Sequence, residues 1–109
     1  MQKRSIAELN DAFRRGLSNV PGKVVITQGI SALGQEAVNT IISSVQLFDD
    51  FTQDNDPYGE HDFGSFFYED VKCFWKIDCF DPTLQFYSED PTDVSKTVRV
   101  LTIMRAEEY

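Results

Sequence analysis

Apolar positions change their period along the chain, and each change marks an element. Near the start, Ile6, Leu9, Phe13 and Leu17 recur three and four residues apart, the spacing that lines one face of a helix. Ahead of them Ser5-Ile-Ala-Glu8 has the form of a capping box: the serine hydroxyl accepts from the amide three residues on, and the glutamate reaches back. The pattern predicts an amphipathic helix over Ser5–Leu17, with Arg14 and Arg15 near the negative end of its dipole. Pro21-Gly22 then turns the chain, and the β-branched run Lys23–Thr27 predicts a short strand broken by Gly29. A second helical stripe follows, expected from about Ala32 to Phe48. Val38, Ile41, Ile42, Val45 and Phe48 share its apolar side, with Gln35, Asn39 and Ser43 opposite. Gly34 weakens its first turn.

From Asp62 onward the period becomes two. Phe63–Tyr68 and Val71–Phe80 read as a hairpin with Glu69-Asp70 at its tip. In the second strand Val71, Cys73, Trp75, Ile77 and Cys79 fall on one face, and Lys72, Lys76 and Asp78 on the other, as in an antiparallel strand buried on one side. Asp81-Pro82 turns the chain into a third expected strand, Leu84–Tyr87. Ser88–Lys96 is a polar loop, and Thr97–Met104 is a last strand of nearly pure β-formers. The order α-β-α-β-β-β-β predicts an α+β fold: two helices packed on one face of a mainly antiparallel sheet of about five strands. A length of 109 residues suits one such domain over residues 1–109, and no repeat, linker or low-complexity segment divides it.

Composition adds three constraints. Aromatic residues gather from Phe48 onward, which agrees with a β-rich second half whose core is filled by large side chains. No apolar run reaches bilayer length, and the start MQKRSIAELNDAFRR is basic without an apolar stretch behind it. The expectation is therefore no membrane span, no secretory signal and a cytoplasmic setting. Cys73 and Cys79 would lie about 20 Å apart on one extended strand, beyond bridging distance, and read as reduced core thiols.

Charge is where the sequence becomes uneven. The net charge is −8, yet the excess is confined to one segment. Between Val24 and Val71 there is no Lys or Arg, while nine acids occur: Glu36, Asp49, Asp50, Asp54, Asp56, Glu60, Asp62, Glu69 and Asp70. This balance argues against nucleic acid as a direct ligand, because displacing phosphate counterions takes cations. Thr52–Gly64, TQDNDPYGEHDFG, holds four of these acids and His61, the chain's only histidine.

The residue types of this stretch bear on several chemistries. An EF-hand register starting at Asp54 puts Asp56 at position 3 and Gly59 at position 6, but Tyr58 and Ser65 stand where ligands at positions 5 and 12 are needed. A less regular cation site from Asp54, Asp56 and Asp62 remains an alternative. Zinc or a facial triad needs more histidines than the one available. Paired carboxylates with His61 as general acid or base are chemically permitted, but no nucleophile elbow accompanies Ser65 or Ser31. Gln28-Gly29-Ile30 lacks the glycines and lysine of a phosphate loop. As structure alone, Asp54, Asn55 and Asp56 suit side-chain-closed turns, Pro57 presets φ, and Gly59 accepts positive φ.

The segments FDDFTQDNDPYGEHDFG (Phe48–Gly64), FWKID (Phe74–Asp78) and RVLTIMRAEEY (Arg99–Tyr109), together with IAELNDAFRR and VVITQGI, resemble a family of small bacterial proteins. That family is catalogued as a domain of unknown function, family 3768. The resemblance assigns no catalytic residue. It implies, by association with plasmids and integrative elements, a role in the contest between mobile DNA and host defence.

The expectation is a non-enzymatic acidic interaction protein binding a basic, nucleic-acid-binding protein partner, as an inhibitor or DNA mimic of the anti-restriction or anti-CRISPR kind. The contact would be made by Asp49, Asp50, Asp54, Asp56, Tyr58, Glu60, His61 and Asp62, with Phe51, Tyr58 or Phe66 as aromatic anchors. No cofactor, metal or catalytic residue is expected, and the state is monomer or homodimer. The alternative is a small hydrolase or metal-binding protein built on the loop around His61.

Overall fold

The computed structural model describes residues 4–17 and 20–109; the reading of the chain start rests partly on residues 1–3, which lie outside these. Helix α1 spans Ile6–Arg14. Its capping box forms as expected, with the Ser5 hydroxyl accepting from the Glu8 amide at 3.1 Å and the Ser5 amide donating to Glu8 Oε1 at 3.0 Å. The helix stops short of Leu17 because Gly16 turns to φ +70°. The amides of Gly16 and Leu17 then bond back to the carbonyls of Phe13 and Ala12 at 3.0 and 3.1 Å, a Schellman closure.

Strand β1 (Gly22–Ile26) leads into two helices where one was expected: α2 (Gln28–Ser31) and α3 (Gln35–Leu47). The break falls at Gly34, whose φ of +100° is open to glycine and strained for a residue with a Cβ. The apolar stripe survives the division, since Val38, Ile41 and Val45 of α3 are all buried.

Strands β2 (Phe63–Tyr68), β3 (Val71–Phe80) and β4 (Val98–Arg105) complete a four-stranded mixed sheet of order β1-β4-β3-β2. β2, β3 and β4 pair antiparallel, whereas β1 lies parallel to β4, with Gly22 opposite Arg99 and Ile26 opposite Ile103. The strand expected at Leu84–Tyr87 does not form; only a single bridge joins Tyr87 to Phe80. A local competitor prevents it. Asp81 Oδ1 accepts from the Thr83 amide at 3.1 Å and the Thr83 hydroxyl at 2.7 Å, and Leu84 is held at φ +62°. The same turn takes the Leu84 amide on the Asp81 carbonyl at 2.9 Å and the Gln85 amide on Asp81 Oδ1 at 3.4 Å, so pairing with β3 is left to the Phe86 carbonyl and the Ser88 amide.

One face of the sheet carries the core. Cys73, Trp75 and Ile77 of β3 and Leu101 and Ile103 of β4 pack against Ile30 of α2 and Val38, Ile41 and Val45 of α3, with Phe13 of α1 alongside. The alternation read for β3 is therefore correct: Cys73, Trp75 and Ile77 are buried and Lys72 is exposed. Trp75, fully buried, sits opposite Gly64 of β2. A Cβ at Gly64 would come within 2.3 Å of Trp75 Nε1 and 2.8 Å of Phe48 Cζ, so the absence of a side chain lets the indole and Phe48 meet over β2. No helix among the described residues is long and apolar enough to cross a membrane.

Candidate functional site

The acidic segment leaves α3 at a reinforced corner. Arg14 reaches from α1 to the end of α3 and donates Nη1 to the Val45 carbonyl at 2.6 Å and to the Gln46 carbonyl at 3.4 Å. Its Nη2 pairs with Asp11 at 3.0 Å. The guanidinium lies 4.9 Å from the Trp75 ring centroid and 5.5 Å from that of Phe51, and the residue is only 2% exposed. Burial pulls its pKa down and Asp11 partly restores it. Arg14 lies in the last turn of its own helix, as expected, and it also satisfies the carbonyl end of α3, which has no basic residue of its own in its last turn.

Beyond that corner the chain folds on itself. The Thr52 amide donates to Asn55 Oδ1 at 2.7 Å, the Asn55 amide donates to the Thr52 hydroxyl at 3.2 Å, and Asn55 Nδ2 donates to the Asp50 carbonyl at 2.8 Å. The Asp56 amide donates to the Thr52 carbonyl at 2.8 Å, and Gly59, at φ +62°, closes the next turn on the Asp56 carbonyl at 3.0 Å. Asp56 turns its carboxylate inward, 6% exposed, where Oδ1 accepts from the amides of Glu60 and His61 at 3.1 and 3.3 Å.

His61 ties the loop to α1. Its Nδ1 is 3.0 Å from both oxygens of Asp11, its Nε2 is 3.6 Å from Asp56 Oδ2, and its ring stacks on Phe51 at 3.9 Å with planes 2° apart. Asn10 adds a further tie by donating Nδ2 to the Glu60 carbonyl at 2.9 Å. Both imidazole nitrogens thus face carboxylates that fix the ring. The arrangement fastens a loop: among the described residues the hydrogen-bond and ion-pair partners of the His61 ring are Asp11 and Asp56. Among the described residues no three His, Cys, Asp or Glu side chains converge to hold a metal ion, so Asp54, Asp56 and Asp62 do not form the irregular cation site.

The eight residues proposed from sequence therefore divide. Asp49, Asp50, Asp54 and Tyr58 point outward, Tyr58 with 87% of its surface exposed, whereas Asp56, Glu60, His61 and Asp62 are partly covered. Among the described residues no ion pair reaches Asp49, Asp50 or Asp54: Arg14 is held by Asp11, and Lys76 by Asp78 at 3.1 Å. Two of the three suggested anchors are not free, because Phe51 and Phe66 are half-buried and pack against the core.

A cleft of about 230 Å³ lies where the loop ends, between α1, β3 and the β3–β4 connection. Glu60, Asp62 and Asp78 line it with Ile6, Ile77 and Tyr87. Burial pushes the Asp62 carboxyl up from its ordinary value, and the charges of Asp56 and Asp78 push the same way. Burial likewise raises the Cys79 thiol on the cleft wall. Behind that wall Arg99 is fully buried, donating Nε to Asn10 Oδ1 and Nη2 to the Pro91 carbonyl, both at 2.7 Å. Sequence reasoning missed Asn10, Asp11, Asp78 and Arg99. No local pattern marks them, and they meet only when α1 docks beside the sheet.

Fold and loop together define an α+β protein whose four-stranded mixed sheet carries its helices on one face and a rigid anionic loop at their margin. The chain belongs to the family described as "Protein of unknown function (DUF3768)", whose model matches residues 26–108. The match begins at Ile26, so α1, which supplies Asn10, Asp11 and Arg14 to the loop, lies outside it. Comparison with curated proteins and with solved structures found no match.

Proposed function

We propose that the protein is a non-enzymatic interaction module whose acidic loop binds a basic protein partner, of the kind that itself holds nucleic acid. The observation that carries this reading is the pairing of exposed carboxylates, with no ion pair among the described residues, with a rigid backbone. Asp49, Asp50 and Asp54 face solvent on a segment fixed by the Thr52–Asn55 pair, the Asp56 turn and the His61 tie. Carboxylates fixed in space raise the local potential for a cationic surface without paying the ordering entropy of a mobile tail on binding. Tyr58, outermost on the same loop, supplies an aromatic contact of the type that concentrates binding energy. An inhibitor that occupies the nucleic-acid groove of a restriction or CRISPR effector is the sharpest form of the reading. Asp56, Glu60, His61 and Asp62 then act mainly by shaping the loop.

Capture of the partner from cells at about 50 and 500 mM salt tests it, alongside the double variant Asp54→Asn, Asp50→Asn. Binding steered by this loop weakens steeply between the two salt concentrations and weakens again in the double variant. Salt-indifferent capture, or a double variant that binds like the parent chain, rejects the reading.

A further inference from the structure

We propose that β2 is a pairing edge at which a second copy of this chain adds its own β2. The two strands run antiparallel about a twofold axis at Ser65, so that two four-stranded sheets join into one. The proposal is independent of the acidic loop.

The sheet order leaves β1 and β2 as its edges, and they are not equivalent. β1 follows Pro21, carries Lys23, and has Phe13 of α1 packed against Gly22. β2, Phe63–Tyr68, holds no charged residue and no proline, the devices that ordinarily keep a sheet edge from pairing. The Ile77 amide donates to the Asp62 carbonyl at 2.8 Å, which sets the phase of the β2–β3 ladder. Gly64, Phe66 and Tyr68 therefore direct their backbone groups at β3, while Phe63, Ser65 and Phe67 direct theirs away from it. Among the described residues no hydrogen bond reaches those outward groups. A row of unpaired amides and carbonyls at this spacing fits another extended backbone.

The side chains select which backbone. With Ser65 facing its own copy, Phe63 of each chain faces Phe67 of the other, and Gly64 faces Phe66. Phe67, 66% exposed, then closes on an aromatic group already built at the edge. In that group the Phe63 ring centre lies 5.1 Å from Phe74 and 6.0 Å from Tyr109. Aromatic pairs across antiparallel strands stabilise them. On the opposite face Gly64 presents no side chain to Phe66. Charge is compatible as well. Lys72 is paired with Phe67 and Lys76 with Phe63, so two phenyl rings separate each lysine from a lysine of the other copy. A strand of unrelated sequence would not repeat this alternation about a centre, which singles out a second copy as the occupant.

Such an interface is small beside the roughly 1,200–2,000 Å² of stable complexes, so monomer and dimer exchange and concentration sets the balance. Each chain carries a net charge of −8. Repulsion therefore weakens the dimer at low salt and screening strengthens it, opposite in sign to partner capture by the acidic loop.

Sedimentation equilibrium of the whole chain from about 10 µM to about 1 mM, at about 50 and 500 mM salt, tests the proposal. The average mass should climb toward the dimer with concentration, and further at the higher salt. Ser65→Pro removes an outward amide and no bond to β3. It should weaken association about tenfold, the loss expected for two hydrogen bonds at the axis. Ser65→Lys, which sets like charges face to face, should weaken it comparably; circular dichroism melting shows that each variant is folded. Ser65→Cys should cross-link two copies on oxidation, since paired residues at the axis stand within disulfide reach, whereas Val24→Cys on β1 should not. A parent chain that stays monomeric at about 1 mM overturns the proposal. So does a folded Ser65→Lys variant that associates like the parent, or cross-linking at Val24→Cys in place of Ser65→Cys.

Discussion

Replacing Arg14 by methionine is the most direct probe of how the loop is held. Methionine keeps the apolar stem, is shorter than arginine, and removes every donor. The lost contacts are the 2.6 Å bond to the Val45 carbonyl, the weaker one to Gln46, the 3.0 Å pair with Asp11, and the placement over Trp75. Hydrogen bonds to a charged group contribute about 1.5–3 kcal/mol each, and a cation over an aromatic ring about 0.5–2 kcal/mol. Against these stands the desolvation of a buried guanidinium, several kcal/mol, which the variant no longer bears. Because Asp11 and the α3 carbonyls stay behind without their donor, the balance falls at about 2–4 kcal/mol of destabilisation. In a domain whose whole stability is about 5–15 kcal/mol, that lowers the melting temperature by about 10 °C. Urea unfolding followed by circular dichroism measures the loss, and hydrogen exchange should locate it in the last turn of α3. Arg14→Lys should recover only part, since an ammonium cannot reproduce the fork. An Arg14→Met variant within about 0.5 kcal/mol of the parent would show that an apolar side chain serves as well, and would refute the claim that Arg14 caps α3.

Gly64→Ala forces a Cβ against the indole of Trp75 and should cost about 1–3 kcal/mol in urea unfolding; a neutral result would mean that β2 shifts freely. Gly34→Ala meets nothing within 4 Å yet sits at φ +100°, so its cost of about 1–3 kcal/mol should be conformational, and Gly34→Asn should be milder than Gly34→Val. Asp62 has a folded carboxyl pKa above its unfolded one; its contribution is therefore fully present below the unfolded value near 3.8 and is lost as pH rises through the folded value. Asp62→Asn should accordingly stabilise the protein at pH 7 relative to the parent, with the advantage vanishing near pH 3. An advantage that grows on acidification would contradict the sign.

Short-range physics explains what could be read in advance. The Ser5–Glu8 box spans three residues and forms as written. The alternation of Cys73, Trp75 and Ile77 marks the inner face of β3 directly, because a strand's two faces are set by parity alone. The anionic character of the loop is a matter of composition, and its turns follow from Asn55, Asp56 and Gly59. Leu84–Tyr87 has strand-forming residues, but Asp81 and Thr83 offer its backbone a nearer set of partners. The helix expected from Ala32 to Phe48 forms as α3 and loses only its first turn, at the Gly34 that the sequence marks as weak, whereas α2, four residues long, is too short for periodicity to register.

The sequence by itself determined the helical and extended segments, the buried parity of the hairpin and the place where negative charge accumulates, since all three depend on neighbours along the chain. Tertiary structure decided that β1 lies parallel to β4, that Arg14, in the last turn of α1, also reaches the carbonyl end of α3, and that His61 is clasped by Asp11 from 50 residues away. It also decided which acids face outward and which line a cleft. The physical reason is that these outcomes depend on which surfaces share a core. A buried charge or polar group takes whatever partner the packing of helices against the sheet brings within reach, and no spacing along the chain encodes that partner.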